Sequence, residues 1–71
     1  MSYAALNPAS LEEHARSVAA QATCRTVDSA IVAYAGLHDE APTSITDLAT
    51  FVDGDITAYR IVDGVAAGPG C

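Results

Sequence analysis

A chain of 71 residues supports one domain with a modest core, a size at which a cross-link, a metal or a partner usually supplies part of the stability. Nine Asp and Glu face only three basic residues, Arg16, Arg25 and Arg60, for a net charge of −6, so there is no cationic cluster to release counterions from nucleic acid or to dock on anionic lipid. Although 51% of residues are hydrophobic, many are alanine, with one Phe and no Trp, and the core has to be assembled from small pieces.

No run reaches the roughly 18 consecutive apolar residues of a membrane helix, and the stretch from Met1 to Pro8 has neither a basic nor an apolar signal region. Two cysteines in a small acidic domain nonetheless point to an oxidising compartment. Together these features read as the soluble piece of a longer exported protein, with an N-terminal targeting or membrane segment missing from this chain.

Residues 1–8 read as a disordered lead-in or leftover sequence ahead of a single α+β domain over 9–71. Ser10 with Glu13 three residues on has the spacing of a capping box; Asn7 as cap with Pro8 at the first helical position is the alternative start. No Gly or Pro interrupts Ala9 to Ala35, so one helix should run to about Leu37 and end at Gly36 and the His38-Asp39-Glu40 turn. At 1.5 Å per residue such a helix is about 40 Å long, against about 30 Å for a compact domain of this size. The rest of the chain can cover only part of it. Cys24, Val27, Ile31 and Tyr34 follow at steps of three, four and three, one apolar stripe with a thiol at its upstream end. The covered part should be the downstream one, where Val27, Ile31, Tyr34 and Leu37 are large. The upstream stripe of Leu11, Ala15, Val18 and Ala22 is mostly small and reads either as a solvated spacer or as a packing surface for another copy.

Pro42 disfavours helix in the residue before it, Ser44 can cap a new one, and Asp47 stands three residues later to return the bond. A short second helix of one or two turns from about Ile45 to Phe51 follows, with Ile45, Leu48 and Phe51 as the residues to pack back on the first helix. Asp53-Gly54-Asp55 is a turn. Ile56 to Val62 is β-branched and aromatic, Asp63-Gly64 is a strong hairpin signal, and Val65 to Gly68 is a weaker return strand. Alternation would put Thr57, Tyr59 and Ile61 on one face and Ile56, Ala58, Arg60 and Val62 on the other, with the Arg60 face solvated. Gly68-Pro69-Gly70-Cys71 then turns the last cysteine back toward the helix.

A disulfide between Cys24 and Cys71 is the expected staple, with a free thiol, a redox role or a metal role as the alternatives. Zinc would need His14 and His38 as well, and no zinc spacing relates these four residues. His38-Asp39-Glu40 and Glu12-Glu13-His14 put rings beside carboxylates at solvated places. No nucleophile, base and orienting group can be assembled, and no glycine-rich phosphate loop is present. An enzyme is not expected, nor a cofactor. Tyr34 and Tyr59 read as core.

From about residue 20 onward the order of features resembles the soluble part of a type IV pilin or type II secretion pseudopilin. The residues that carry the likeness are Thr26-Val27, Ala30-Ile31 and Tyr34 on the long helix, then Pro42-Thr43-Ser44-Ile45 and Leu48, then a hairpin ending in cysteine. Ala41 stands where that family commonly has an aromatic residue, and the family's hydrophobic N-terminal helix has no counterpart in this chain. The resemblance implies a non-enzymatic structural subunit of an extracellular or periplasmic fibre. Its partners would be other pilin-like subunits rather than nucleic acid, and the membrane would be met only through the missing helix. It also raises calcium, bound by Asp53, Asp55 and Asp63 in the variable loops, against the default of a solvated acidic turn. A reading from another class is a small secreted binding or adaptor domain that self-associates through its alanine-rich helix; a cytosolic protein with reduced thiols is a third.

Overall fold

The computed structural model describes residues 8–71, with side chains described from Leu11 onward. Of the lead-in expected over residues 1–8, residues 1–7, with the Asn7 cap, lie outside the described residues, and Pro8 belongs to the first helix. The order is α1 (Pro8–His38), a 3-10 turn (Ile45–Leu48), β1 (Arg60–Val62) and β2 (Val65–Ala67), an α+β arrangement with a two-stranded antiparallel sheet. Its 31 helical residues make α1 about 46 Å long, and the molecule measures 54 × 21 × 17 Å. The helix therefore sets the long dimension, and the remaining elements are gathered on one side of its downstream part.

The helix is already running at Ser10, so Ser10 is not its cap. Pro8 is the first helical residue, where its missing N–H costs no bond. At the other end Gly36 lies inside the helix, and termination falls to Asp39, whose φ of 56° is left-handed and whose N–H bonds the Ala35 carbonyl at 3.0 Å. Aspartate tolerates that conformation better than most residues with a side chain, so a glycine is not required there.

The core forms where the Cys24 stripe meets the rest of the chain. Val27 and Leu48 are fully enclosed, and Cys24, Ala30, Ile31, Ile56, Tyr59 and Ala66 are buried around them. Tyr34, Ile45, Phe51, Val52 and Ile61 close the margin. Tyr34 stacks on His38 with ring centroids 4.2 Å apart and meets Phe51 edge-on at 6.3 Å. Leu37 was expected in this wall but is 72% exposed. Its Cα lies three residues past Tyr34, where the helix face has already rotated away and no chain returns to meet it.

The expected short second helix is present as a single 3-10 turn, which ends at Leu48, short of Phe51. Ser44 Oγ accepts from Thr46 N–H at 3.3 Å, while Asp47 Oδ2 accepts from the Thr43 and Ser44 N–H groups at 3.2 Å each, completing the predicted capping box. The backbone bonds after it, Ala49 to Thr46 and Phe51 to Leu48, keep the three-residue spacing, so the chain curls instead of extending the helix.

The first strand is shorter than the sequence implies, because Ile56 to Tyr59 is a turn closed by Tyr59 N–H on the Ile56 carbonyl. Asp55 Oδ1 accepts from both N–H and Oγ of Thr57 and bends the chain there. Ile56 and Tyr59, assigned to opposite faces by alternation, are consequently both buried, since three residues of turn return the chain to the same side. Strand pairing starts at Arg60, with Arg60 opposite Ala67, Ile61 opposite Ala66 and Val62 opposite Val65. Within it the expected alternation holds: Arg60 and Val62 are exposed and Ile61 is half-buried. Asp63 and Gly64 take φ of 52° and 80°, both left-handed, as a type I′ turn demands.

Leu48→Ala should lower unfolding stability by about 2–5 kcal/mol, since Leu48 fills the centre of a core that has little else to collapse into the space. Val32→Ala, on the opposite side of α1, should cost under about 0.5 kcal/mol. Urea denaturation of the oxidised protein checks both.

Candidate functional site

Two features are built from the residues upward: a clasp that fixes the chain's end to α1, and a helix surface that none of the described residues covers. In the clasp the sulfurs of Cys24 and Cys71 are joined, with Cα atoms 5.5 Å apart and 47 positions between them in sequence. The described residues contain no free cysteine, so the free-thiol and metal alternatives do not describe this state. Cys24 is buried on the stripe, whereas Cys71 is exposed.

The approach to that bond explains the glycines of the tail. Gly70 has φ of 75°, and a Cβ there would stand 2.4 Å from the Ala20 carbonyl carbon and 2.5 Å from the Gln21 nitrogen. The tail backbone thus lies directly on the helix backbone, a contact open to glycine alone. Gly68, with φ of 137°, passes close under Tyr59, where a Cβ would meet the ring at 3.0 Å. Tyr59 in turn donates its hydroxyl to the Ala20 carbonyl at 3.3 Å. Ala20 is small enough to leave room for both.

One polar contact ties the hairpin to the helix. Asp28 Oδ1 accepts the Ala66 N–H at 2.8 Å, so a helix carboxylate takes the place of a third strand along the edge of β2. That edge would otherwise present an unpaired donor beside the core. Sequence reading missed this role, although Asp28 is the one charged residue next to the buried Val27, and a carboxylate at a core margin needs a donor.

The candidate oxygen ligands for calcium are not assembled. Among the described residues no three His, Cys, Asp or Glu side chains gather closely enough to hold a metal ion. Asp53, Asp55 and Asp63 are all exposed, Asp55 is engaged by Thr57, and Asp63 stands at the hairpin turn with φ of 52°. His14 is exposed far up the helix, while His38 lies on the ring of Tyr34, so the two histidines stay apart. Burial holds the Tyr34 phenol above its ordinary 10.0, with smaller contributions from the Asp47 and Glu40 carboxylates. No polar or charged side chain is buried among the described residues, and every buried side-chain polar atom there has a partner.

The uncovered surface begins upstream of the clasp. Every described side chain from Leu11 to Ala19 is exposed, and Glu12 and Arg16 form a solvated pair at 3.7 Å. No helix here is long and apolar enough to cross a membrane among the described residues. No protein-family model matches the chain, and no curated protein or solved structure is significantly similar to it.

Removing the clasp with Cys24→Ser and Cys71→Ser together should cost about 4 kcal/mol on the chain-entropy account of a 47-residue loop. Thermal and urea unfolding of the variant measures it, and thiol titration of the unfolded, unreduced wild type should find no free sulfhydryl.

Asp55 should titrate below its ordinary 3.8, held down first by the Thr57 hydroxyl and then by the Thr57 N–H. Its contribution to stability is therefore fully present above pH about 3.8 and fades as pH falls through the lower folded value. A carbon-13 NMR titration of the carboxyl should give the depressed midpoint, and Thr57→Ala should return it toward 3.8.

Proposed function

We propose that this chain is the non-enzymatic head domain of a pilin-like fibre subunit, working outside the cytoplasm and anchored by a hydrophobic N-terminal helix outside this chain. The observation that carries the reading is the division of α1. Its downstream part is the wall of a small cross-linked head, and its upstream part, from Leu11 to Ala19, stands clear of it. A subunit of this kind needs a stalk that continues into the shaft and a head that stays folded where no chaperone reaches it. The clasp from Cys24 to Cys71 supports the second requirement, since a covalent loop closure stabilises a core too small to be secure alone.

The mechanism is mechanical. Helix position transmits subunit position, and the hairpin and acidic loops form the outer surface. Six carboxylates follow α1, at Asp39, Glu40, Asp47, Asp53, Asp55 and Asp63, against the single Arg60. Such heads repel one another and remain solvated while the stalks make the contacts. Other pilin-like subunits are then the partners.

A second reading, a secreted adaptor that self-associates through α1, is favoured by the four large apolar side chains exposed on that helix at Leu11, Val18, Val32 and Leu37.

An antibody raised against the domain should detect the native protein in the membrane fraction and in fibres sheared from the cell surface, at a mass larger than 7.2 kDa. Recovery of all the immunoreactive protein in the cytosol, with its thiols reduced, would sink the fibre reading.

A further inference from the structure

We infer that the face of α1 turned away from the head is a self-complementary surface, and that two copies of this chain pair along it as a closed antiparallel dimer. The face consists of Leu11, Ala15, Val18, Ala22, Arg25, Ser29, Val32 and Gly36, at steps of four and three, and all eight are exposed. At 3.6 residues per turn it lies roughly 180° round the helix from Cys24, Val27, Ile31 and Tyr34. The head is therefore on the far side and leaves the whole length open.

Large and small residues alternate strictly along this face. Leu11, Val18, Arg25 and Val32 are the large members; Ala15, Ala22, Ser29 and Gly36 are the small ones. Leu11, Val18 and Val32 are 54%, 51% and 72% exposed, so the free surface is apolar and not merely small.

A closed pair of helices has two-fold symmetry and therefore two options. In the parallel one each residue faces its own copy: Val18 meets Val18, Ala22 meets Ala22, and the two Arg25 guanidinium groups meet across the axis. In the antiparallel one every layer joins a large residue to a small one. Leu11 faces Gly36 of the partner subunit, Ala15 faces the partner's Val32, Val18 faces the partner's Ser29, and Arg25 lies over the partner's Ala22. Helices fill space best in that way, with each protrusion opposite a gap. The stem of Arg25 covers the partner's Ala22 while its charged end reaches water at the edge. On the flanks Glu12 comes beside Ala33 of the partner subunit and Asp28 beside the partner's Gln21, so no like charges are opposed.

Eight residues a side fall short of the roughly 20–30 of a stable standard interface. The pair is accordingly reversible and concentration-dependent. It does not rest on the fibre reading; in a fibre, any neighbour that packed on this face would compete with it.

Sedimentation velocity of the full chain over a concentration series should show a monomer–dimer equilibrium. Ala22→Glu should abolish the dimer while circular dichroism shows the fold unchanged, and Arg25→Leu should tighten it by about tenfold. Register is read with Val18→Cys and Ser29→Cys, made as separate variants and joined by a short bismaleimide, which leaves the native cystine alone. The mixed variants should cross-link, whereas Val18→Cys by itself should not, because its two copies stand about 16 Å apart along the axis. Monomer at every concentration, or efficient cross-linking of Val18→Cys to itself, overturns the proposal.

Discussion

Among the described residues one face of one helix is the only wall available to this core, and the chain that packs on it is held there at both ends. At the start of the stripe the Cys24–Cys71 bond fixes the tail; further along, Leu48 inserts beside Val27 and Ile31. Between them lie a two-stranded sheet and several irregular turns, none of which is stable alone in water. The bond and the stripe depend on each other. Without the stripe there is nothing to pin the tail against, and without the bond the entropy of some forty-seven residues of chain is opposed by a core in which eight of the described hydrophobic side chains are buried.

That dependence accounts for the small residues at the contact. A tail that has to reach the helix within bonding distance of Cys24 passes over Ala20 and Gln21, and only glycine at position 70 fits between the two backbones. The same close approach lets the Tyr59 hydroxyl find the Ala20 carbonyl. Asp28 does for the sheet what the cystine does for the tail, supplying from the helix the acceptor that a missing strand would have provided. Contacts of three chemistries, covalent, apolar and hydrogen-bonded, thus lie along α1 between Ala20 and Tyr34.

The opposite side of α1 is left without any such contact, and this asymmetry governs what the protein can do. Its charge is distributed to match. Beyond the helix the loops are strongly acidic, while the free helix face carries only Arg25. The acidic loops and the free helix face lie on different sides of the same rod, so association through the helix would leave the acidic loops facing water. The proposed fibre subunit would use that separation through the upstream extension of the rod, and the proposed reversible pair through its back.

The sequence by itself determined the elements whose causes are local. A run from Ala9 to Ala35 free of Gly and Pro, with apolar residues at helical spacing, reads as one long helix, Ser44 and Asp47 form a capping box, and Asp63-Gly64 accepts the left-handed geometry of a two-residue turn. The Cys24 stripe was legible for the same reason, since helical spacing sorts residues by face before any partner is present. Tertiary structure alone decided the rest. Ile56 and Tyr59 share a side because Asp55 and Thr57 fold a turn where alternation called for a strand. Leu37 is large yet exposed, because the chain returning to the helix ends its coverage at Tyr34. Asp53, Asp55 and Asp63 are close in sequence but are held by separate turns, and no metal group forms from them. The bond of Asp28 to Ala66 spans 38 positions. A contact of that kind is set by where two segments come to rest on the wall, and periodicity within either segment carries no record of it.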